Sequence, residues 1–132
     1  TGTADISDLR GLSKKMPISA LAFLVGGLSM SGVPAFGGWI DEFYFVRSTV
    51  ESGHIELTLI GVAVSILTLA YVLRTFNQVF LGELPERYKE VEGASTSEIA
   101  LMIALMILTV LIGLAPVPFM SRILGFVESV IF

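Results

Sequence analysis

The chain has 132 residues, of which 54% are hydrophobic and only 15% are charged, and its mean hydropathy is +0.83. Soluble domains carry about 25% charged residues, and here the charges avoid three long segments, so the composition indicates an integral membrane protein. The sequence contains no cysteine and one histidine, His54, which excludes a disulfide framework, cysteine-ligated iron–sulfur or zinc sites and bis-histidine haem within this chain. We therefore predict no cofactor, metal site, catalytic residue or redox centre here, and no nucleic-acid partner.

Residues 1–16 are polar and predict a loop at the membrane surface. An apolar span follows over residues 17–50, but a stretch rich in glycine and proline interrupts it. A helix from Pro17 to Ser31 would be only about 22 Å long at ~1.5 Å per residue, whereas the hydrocarbon core is about 30 Å thick. We therefore predict one transmembrane helix with a break near the bilayer midplane. A re-entrant pair of half-helices is the alternative.

The predicted break is rich in residues that interrupt helices, and two carboxylates follow it. The helix-breaking residues are Gly32, Pro34, Gly37 and Gly38, and the carboxylates are Asp41 and Glu42. At membrane depth such a break is tolerated only where protein or a water-filled cavity satisfies the freed backbone groups. Acidic residues there cost about 2.5–3.5 kcal/mol on insertion scales and are usually functional. For the glycines, a structural kink or close helix packing is the alternative interpretation.

Glu42 and Asp41 are the predicted proton-transfer residues. Burial favours the neutral acid, whereas a place in the first turn of a half-helix favours the carboxylate, and this opposition suits a group that loads and releases protons. Successive residues lie ~100° apart around a helix, so the two side chains do not share one face. We expect Asp41 to cap the second half-helix or to face water at the break. The alternative is a shallower position at which both carboxylates are merely solvated.

The second predicted span covers residues 56–81, and a thin polar stripe marks its far end. Arg74 and Tyr71 are the predicted members of a polar path along this stripe, which continues through Thr68 and Ser65. The ordinary interpretation is that Arg74 extends to the membrane interface and that the stripe holds neighbouring helices together.

The remaining elements are a charged loop, a third span and a short terminal helix. Residues 82–97 predict a solvated cytoplasmic loop, and residues 98–115 predict the third span, which Pro116 and Pro118 would end. Residues 119–132 are apolar apart from two charges and predict a short helix lying at the interface. The fold class is therefore all-α and integral to the membrane, with three transmembrane helices, the first of them discontinuous.

The distribution of lysine and arginine predicts the orientation. One predicted side holds Arg10, Lys14, Lys15, Arg74, Arg87 and Lys89, and the other holds Arg47 and Arg122. Cytoplasmic loops carry the excess of positive charge, so the amino end and the 82–97 loop are predicted to lie in the cytoplasm.

Four stretches together resemble one family. They are Gly2-Thr3 through Gly11-Leu12 with Lys15-Met16-Pro17; Ser31-Gly32-Val33-Pro34 with Gly38-Trp39-Ile40-Asp41-Glu42-Phe43; Tyr71 and Arg74 with Phe80 and Gly82; and Leu114-Ala115-Pro116. This pattern resembles the carboxyl-terminal part of the antiporter-like subunits of respiratory complex I, membrane-bound hydrogenases and multisubunit cation/proton antiporters.

The resemblance implies a role for Glu42. Many members of the family hold lysine at this position and some hold glutamate, and the residue is regarded as the terminal proton-transfer group toward the outer side. Asp41 stands where many relatives have a small residue, which is a departure from the family pattern. The family's other key residues lie on earlier helices, so the resemblance implies that an upstream part must complete the path.

The predicted function is the C-terminal part of a proton- or sodium-translocating subunit of a redox-driven complex or antiporter. The expected partners are other membrane subunits, the lipid bilayer and H⁺ or Na⁺, and the expected location is a prokaryotic cell membrane. One alternative is a structural subunit that only packs in a larger assembly. The other is a small dimeric transporter built around a membrane carboxylate.

Overall fold

The computed structural model describes residues 6, 9–90, 92–114 and 116–131, and every regular element within them is helical. The five α-helices are α1 (Pro17–Met30), α2 (Gly38–Glu51), α3 (Ile55–Phe80), α4 (Thr96–Leu114) and α5 (Pro116–Ile131). Short 3-10 turns lie at Leu12–Lys14 and Glu86–Tyr88. The predicted all-α class is confirmed across the described residues.

α1 ends because the chain turns left-handed at Gly32. The φ angle of Gly32 is 69°, a region that glycine occupies without steric cost. Its amide donates to Ser29 O, and the Val33 amide donates to Leu28 O, each at 3.2 Å. This pair of hydrogen bonds is the Schellman motif, which satisfies carbonyl groups at a helix end. Pro34 follows, and without an amide hydrogen it cannot extend the helix.

α2 and α3 pack antiparallel through three pairs of facing residues. The Thr49 and Thr58 hydroxyl oxygens are 2.6 Å apart. About one helical turn from this pair, the Phe45 ring lies over Gly61, where an added methyl group would be 2.3 Å from ring atom Cε1. The third pair is Glu42 with Ser65, described below. Small residues on α3 therefore let α2 approach closely.

α1 packs against α3 at another glycine. A methyl group at Gly27 would lie 2.3 Å from Cγ1 of Val72, and both residues are buried. Close approach through small residues is the usual way in which helices associate when they cannot use hydrophobic burial from water. α1 also packs along α4, so α1 is the central helix of this unit.

A small hydrophobic core lies where the start of α1 and the end of α3 meet the segment that precedes α1. Leu12, Ala20 and Phe80 are buried together there, and the Phe23 ring packs 5.3 Å from the Phe80 ring. The Ser13 hydroxyl donates to the Phe80 carbonyl oxygen at 2.5 Å. The described part of residues 1–16 therefore lies beside the far end of α3, on the same side of the unit.

The 82–97 connection stays a predicted solvated loop, and most of its described residues are exposed. Tyr88 is the exception, since it is only 6% exposed and the Arg87 guanidinium lies over its ring. One predicted boundary needs correction. The last helix begins at Pro116 and not at residue 119. Proline suits the first helical position, where its missing amide hydrogen costs no hydrogen bond, so Pro116 opens α5 as well as following α4. Ala115, the predicted end of the third span, lies outside the described residues.

Within the described residues, α3 and α4 are long and apolar enough to cross a membrane, with 26 and 19 residues. Only 6% of the most apolar stretch of each helix is buried inside the chain. Their apolar side chains therefore face outward, where lipid or other protein must cover them. α1 is apolar as well but has only 14 residues.

Candidate functional site

A cleft of about 410 Å³ opens where α1 ends and α2 begins. Its lining consists of Ser29, Met30, Gly38, Asp41, Glu42 and Phe45. Polar and charged groups make up half of this list, although both helices carry long apolar stretches. The cleft therefore brings the predicted carboxylates to the junction of two helices.

Glu42 is half-buried and held on two sides. Its Oε1 atom accepts a hydrogen bond of 2.7 Å from the Ser65 hydroxyl on α3. On the other side, a methyl group at Gly32 would lie 3.1 Å from Cγ and 3.3 Å from Cδ of Glu42. Gly32 thus gives the carboxyl group the space in which it sits. The left-handed turn that ends α1 and the position of Glu42 are set by the same residue.

Asp41 lies in the first turn of α2, and its side chain is exposed. It is not a helix cap, because the cap position is Gly37 and no side-chain cap hydrogen bond is formed there. The predicted capping role is therefore wrong, and the alternative, that Asp41 faces water at the break, stays a prediction. Asp41 and Glu42 lie about 100° apart around α2, yet both border the cleft, one from its exposed rim and one from its interior.

The predicted glycines at the start of α2 are sites of close approach. A methyl group at Gly38 would lie 1.8 Å from the Ser29 carbonyl oxygen, and the Gly38 amide donates to the Ser29 hydroxyl at 3.0 Å. A methyl group at Gly37 would lie 3.5 Å from the Thr109 carbonyl oxygen on α4, which is an ordinary contact. Gly38 is therefore required by packing, whereas Gly37 is not.

The 31–37 segment is also held from α4. The Trp39 indole nitrogen donates to the Gly113 carbonyl oxygen at 2.9 Å. A methyl group at Gly113 would lie 2.5 Å from the Ala35 carbonyl oxygen, so the segment packs directly on α4. Ala35 has a φ of 80°, a left-handed conformation that is uncommon for a residue with a side chain. No sequence pattern pointed to Ala35, since alanine is not a turn-forming residue.

Arg74 and Tyr71 do not reach the cleft. Both are exposed, Tyr71 by 65%, and neither belongs to the cleft lining. Thr68 donates to the Val64 carbonyl oxygen of its own helix at 2.9 Å. Of the polar stripe, only Ser65 contacts the candidate site. The polar path through Arg74 and Tyr71 stays a prediction.

Among the described residues, no group of three or more histidine and acidic side chains is placed to hold a metal ion. The chemistry available in the cleft is therefore that of one half-buried carboxyl group, one exposed carboxyl group and two serine hydroxyls. Carboxyl groups as a class are able to exchange protons, and carboxyl and hydroxyl oxygen atoms are also of the kind that bind hard cations.

Comparison with known proteins identifies the family. Residues 1–68 match the family described as "NADH:quinone oxidoreductase/Mrp antiporter, TM", and this match includes α1, α2 and the cleft. The chain therefore belongs to this family of membrane-integral subunits. The resemblance and the membrane location predicted from the sequence are both confirmed.

Individual relatives agree with this assignment. The chain is 31% identical over 117 residues to a protein named NADH-quinone oxidoreductase subunit N from Moorella thermoacetica, a match that covers 89% of this chain and 24% of the relative. It is 32% identical over 128 residues to Na(+)/H(+) antiporter subunit A1 of Staphylococcus saprophyticus, with 88% of this chain and 16% of the relative covered. The chain thus spans a quarter or less of these relatives' lengths.

A solved structure has the same fold. A chain of the Mrp complex from a Dietzia species superposes with a TM-score of 0.71 at 24% identity. The superposition covers 86% of this chain and 29% of the other. At this identity the likeness establishes the fold alone.

Proposed function

We propose that this chain is the ion-translocating C-terminal part of an antiporter-like subunit, in which Glu42 exchanges protons with water in the cleft. The observation that carries the proposal is the half-buried Glu42 carboxyl group, which borders a 410 Å³ cleft and accepts a hydrogen bond from Ser65. A carboxyl group that is neither fully solvated nor locked in an ion pair retains the freedom to gain and lose a proton.

The proposed location of Glu42 is a break within one membrane crossing formed by α1 and α2. Each helix has 14 residues. Each is therefore about 21 Å long at ~1.5 Å per residue, which is shorter than the ~30 Å hydrocarbon core. In this arrangement Glu42 lies in the first turn of the second half-helix, near the membrane interior. At the break the Gly38 amide donates to the Ser29 hydroxyl, the Gly32 and Val33 amides donate within the Schellman turn, and the Phe36 amide donates to the Val33 carbonyl oxygen. Backbone groups freed at membrane depth need partners of this kind within the protein.

The proposed partners follow from the relatives, which are subunits of multisubunit complexes by name. The outward apolar surfaces of α3 and α4 would then be covered by other helices of the complex and by lipid. We propose proton translocation as the primary activity, because a single half-buried carboxyl group is enough to carry a proton. Transport of Na⁺ would require additional oxygen ligands, for which the exposed Asp41 is a candidate.

The test is ion translocation by the complete complex in liposomes, measured with a pH-sensitive dye, for the Glu42→Gln variant. Glutamine keeps the size of the side chain and its hydrogen-bond acceptor but cannot carry a proton. We expect proton translocation to fall at least tenfold while the complex assembles normally. Glu51→Gln is the matched control, because Glu51 lies on the same helix, is exposed and pairs with the exposed Arg47.

The outcomes separate the alternatives. Unchanged translocation in Glu42→Gln, with normal assembly, would support the purely structural subunit. Ion transport by this chain alone in liposomes would support the small dimeric transporter. Asp41→Asn tests the second carboxylate, and a smaller loss than in Glu42→Gln is expected because Asp41 is already exposed.

A further inference from the structure

The Ser65 hydroxyl lies within hydrogen-bonding distance of two acceptors. Its oxygen is 2.7 Å from Oε1 of Glu42 and 3.2 Å from the carbonyl oxygen of Gly61, one turn earlier on α3. A serine hydroxyl has one hydrogen and two acceptor lone pairs. It therefore donates to one of these oxygens at a time, while its own oxygen remains free to accept.

We propose that Ser65 is a positioning residue that exchanges its hydrogen-bond acceptor between Glu42 and Gly61 as Glu42 loses and gains a proton. This inference rests on the proposed function of Glu42. In the ionised state Ser65 donates to the carboxylate. In the neutral state the carboxylic acid donates to the Ser65 oxygen, and Ser65 donates to the Gly61 carbonyl. The hydrogen of Ser65 stays on its own oxygen throughout, and the carboxyl group keeps one position in both charge states.

The hydrogen bond between Ser65 and Glu42 differs in strength between the two protonation states. A hydrogen bond to a charged carboxylate is roughly twice as strong as one between neutral groups. Ser65 offers a partner to both forms of Glu42, as a donor to the carboxylate and as an acceptor from the neutral acid. A backbone amide would also donate to either form, but it could not accept the hydrogen bond that the neutral acid donates. Because the Ser65 hydroxyl can both donate and accept, it bonds to the ionised and to the neutral carboxyl group. This suits a group that must pass through both protonation states.

Few other ionisable side chains lie on the helices that surround the Glu42 carboxyl group. On α2 the adjacent titratable group is Asp41, which is exposed. α1 and the 31–37 segment contain no titratable side chain, and α4 contains only Glu98, in its first turn. On α3, Glu56 and Arg74 are each nine residues from Ser65, about 13 Å along the axis at ~1.5 Å per residue, and Tyr71 is six residues away.

The geometry explains why this contact is more than helix packing. Phe45 with Gly61 and Thr49 with Thr58 already hold α2 against α3 on the same face. Thr68, one turn beyond Ser65, donates to its own backbone instead of crossing to another helix. Ser65 is thus the member of the polar stripe whose hydroxyl meets an ionisable group.

The experiment uses the complete complex and two readouts. The first is the pH titration of the Glu42 carboxyl stretching band in the infrared, assigned by its loss in Glu42→Gln. The second is the pH profile of proton translocation. In Ser65→Ala we expect the midpoint of the band to move up by about one pH unit, since the carboxylate loses a charge-assisted donor. The translocation profile should shift in the same direction.

Two further variants make the result decisive. Ser65→Thr keeps the hydroxyl and should return both midpoints toward those of the native protein. Thr68→Ala is the matched control and should leave both unchanged, because its hydroxyl bonds only to its own helix. Unchanged midpoints in Ser65→Ala, or a Ser65→Thr variant that behaves like alanine, would overturn the inference.

The test also separates this inference from the proposed function. If Glu42→Gln translocates protons normally, the proposed function fails whatever Ser65 does. If Glu42→Gln abolishes translocation but Ser65→Ala leaves the band and the profile in place, only the role of Ser65 fails.

Discussion

The amide nitrogen of Gly38 lies 3.0 Å from the hydroxyl oxygen of Ser29, so the first turn of α2 begins directly against the last turn of α1. The contact is backbone to backbone as well, since a methyl group at Gly38 would lie 1.8 Å from the Ser29 carbonyl oxygen. Both residues line the cleft. The separation of the two helices, and with it the shape of the cleft, depends on the absence of a side chain at Gly38.

Replacing Gly38 with alanine is expected to destabilise the protein by about 1–3 kcal/mol or to prevent folding, because the added methyl group forces backbone atoms apart. The measurement is the thermal unfolding of the complete protein in detergent. Gly26→Ala is the matched control, since Gly26 is also a helix glycine but has no atom within 4 Å of the added group. A Gly38→Ala variant as stable as Gly26→Ala would contradict the described contact.

The contact between Gly27 and Val72 predicts a compensating pair. Gly27→Ala alone places a methyl group 2.3 Å from a Val72 methyl group, and a β-branched side chain has few rotamers in which to avoid it. We expect a loss of about 1–3 kcal/mol. Adding Val72→Ala should recover at least part of it, and a double-mutant cycle measures the coupling as roughly 0.5–3 kcal/mol. Additive effects would mean that the two helices do not meet at these residues.

Trp39→Phe tests the attachment of the 31–37 segment to α4. The Gly113 carbonyl lies in the last turn of α4, where helix carbonyls lack partners within the helix. Removing the indole donor should cost about 0.5–1.5 kcal/mol in the free energy of unfolding. Tyr44→Phe removes a polar atom from an exposed aromatic side chain on the same helix and serves as the control. Equal stability of the two variants would argue against the Trp39–Gly113 hydrogen bond.

The start of α4 predicts a test of helix capping. The Ser95 amide donates to Oε2 of Glu98 at 2.7 Å, and the Glu98 amide donates to the Ser95 hydroxyl at 3.4 Å, which together form a capping box. Glu98→Ala should lower the thermal stability of the protein, whereas Glu98→Gln keeps an acceptor oxygen and should lower it less. The order of the two variants in thermal unfolding decides the point; alanine at least as stable as glutamine would contradict it.

The sequence predicted the features that depend on single residue types. Gly32 and Pro34 marked the end of α1, because a left-handed turn favours glycine and proline cannot continue a helix. The long apolar runs marked α3 and α4 to within two residues of their observed ends. The adjacent carboxylates marked the start of α2 as the candidate site, and their role in proton transfer stays a proposal. Each of these signals depends on neighbouring residues in the sequence, so the helix ends can be predicted without knowing how the helices pack.

The features that the sequence did not predict depend on contacts between distant residues. Ser65 and Glu42 are 23 residues apart, and their contact follows from the register of α2 on α3. The left-handed Ala35 is imposed by packing on Gly113, and no local preference of alanine favours it. The early start of α5 was missed because a proline that ends one helix is also well suited to begin the next.

Three contacts hold the bend between α1 and α2 in place. The Gly38 amide donates to the Ser29 hydroxyl, and Ala35 packs against Gly113 of α4. The Trp39 indole donates to the Gly113 carbonyl oxygen. A bend held by three such contacts has little freedom to change its conformation. If the proposed function is correct, the movements that open and close a passage for protons therefore occur in side chains or in neighbouring helices, and the bend keeps its shape.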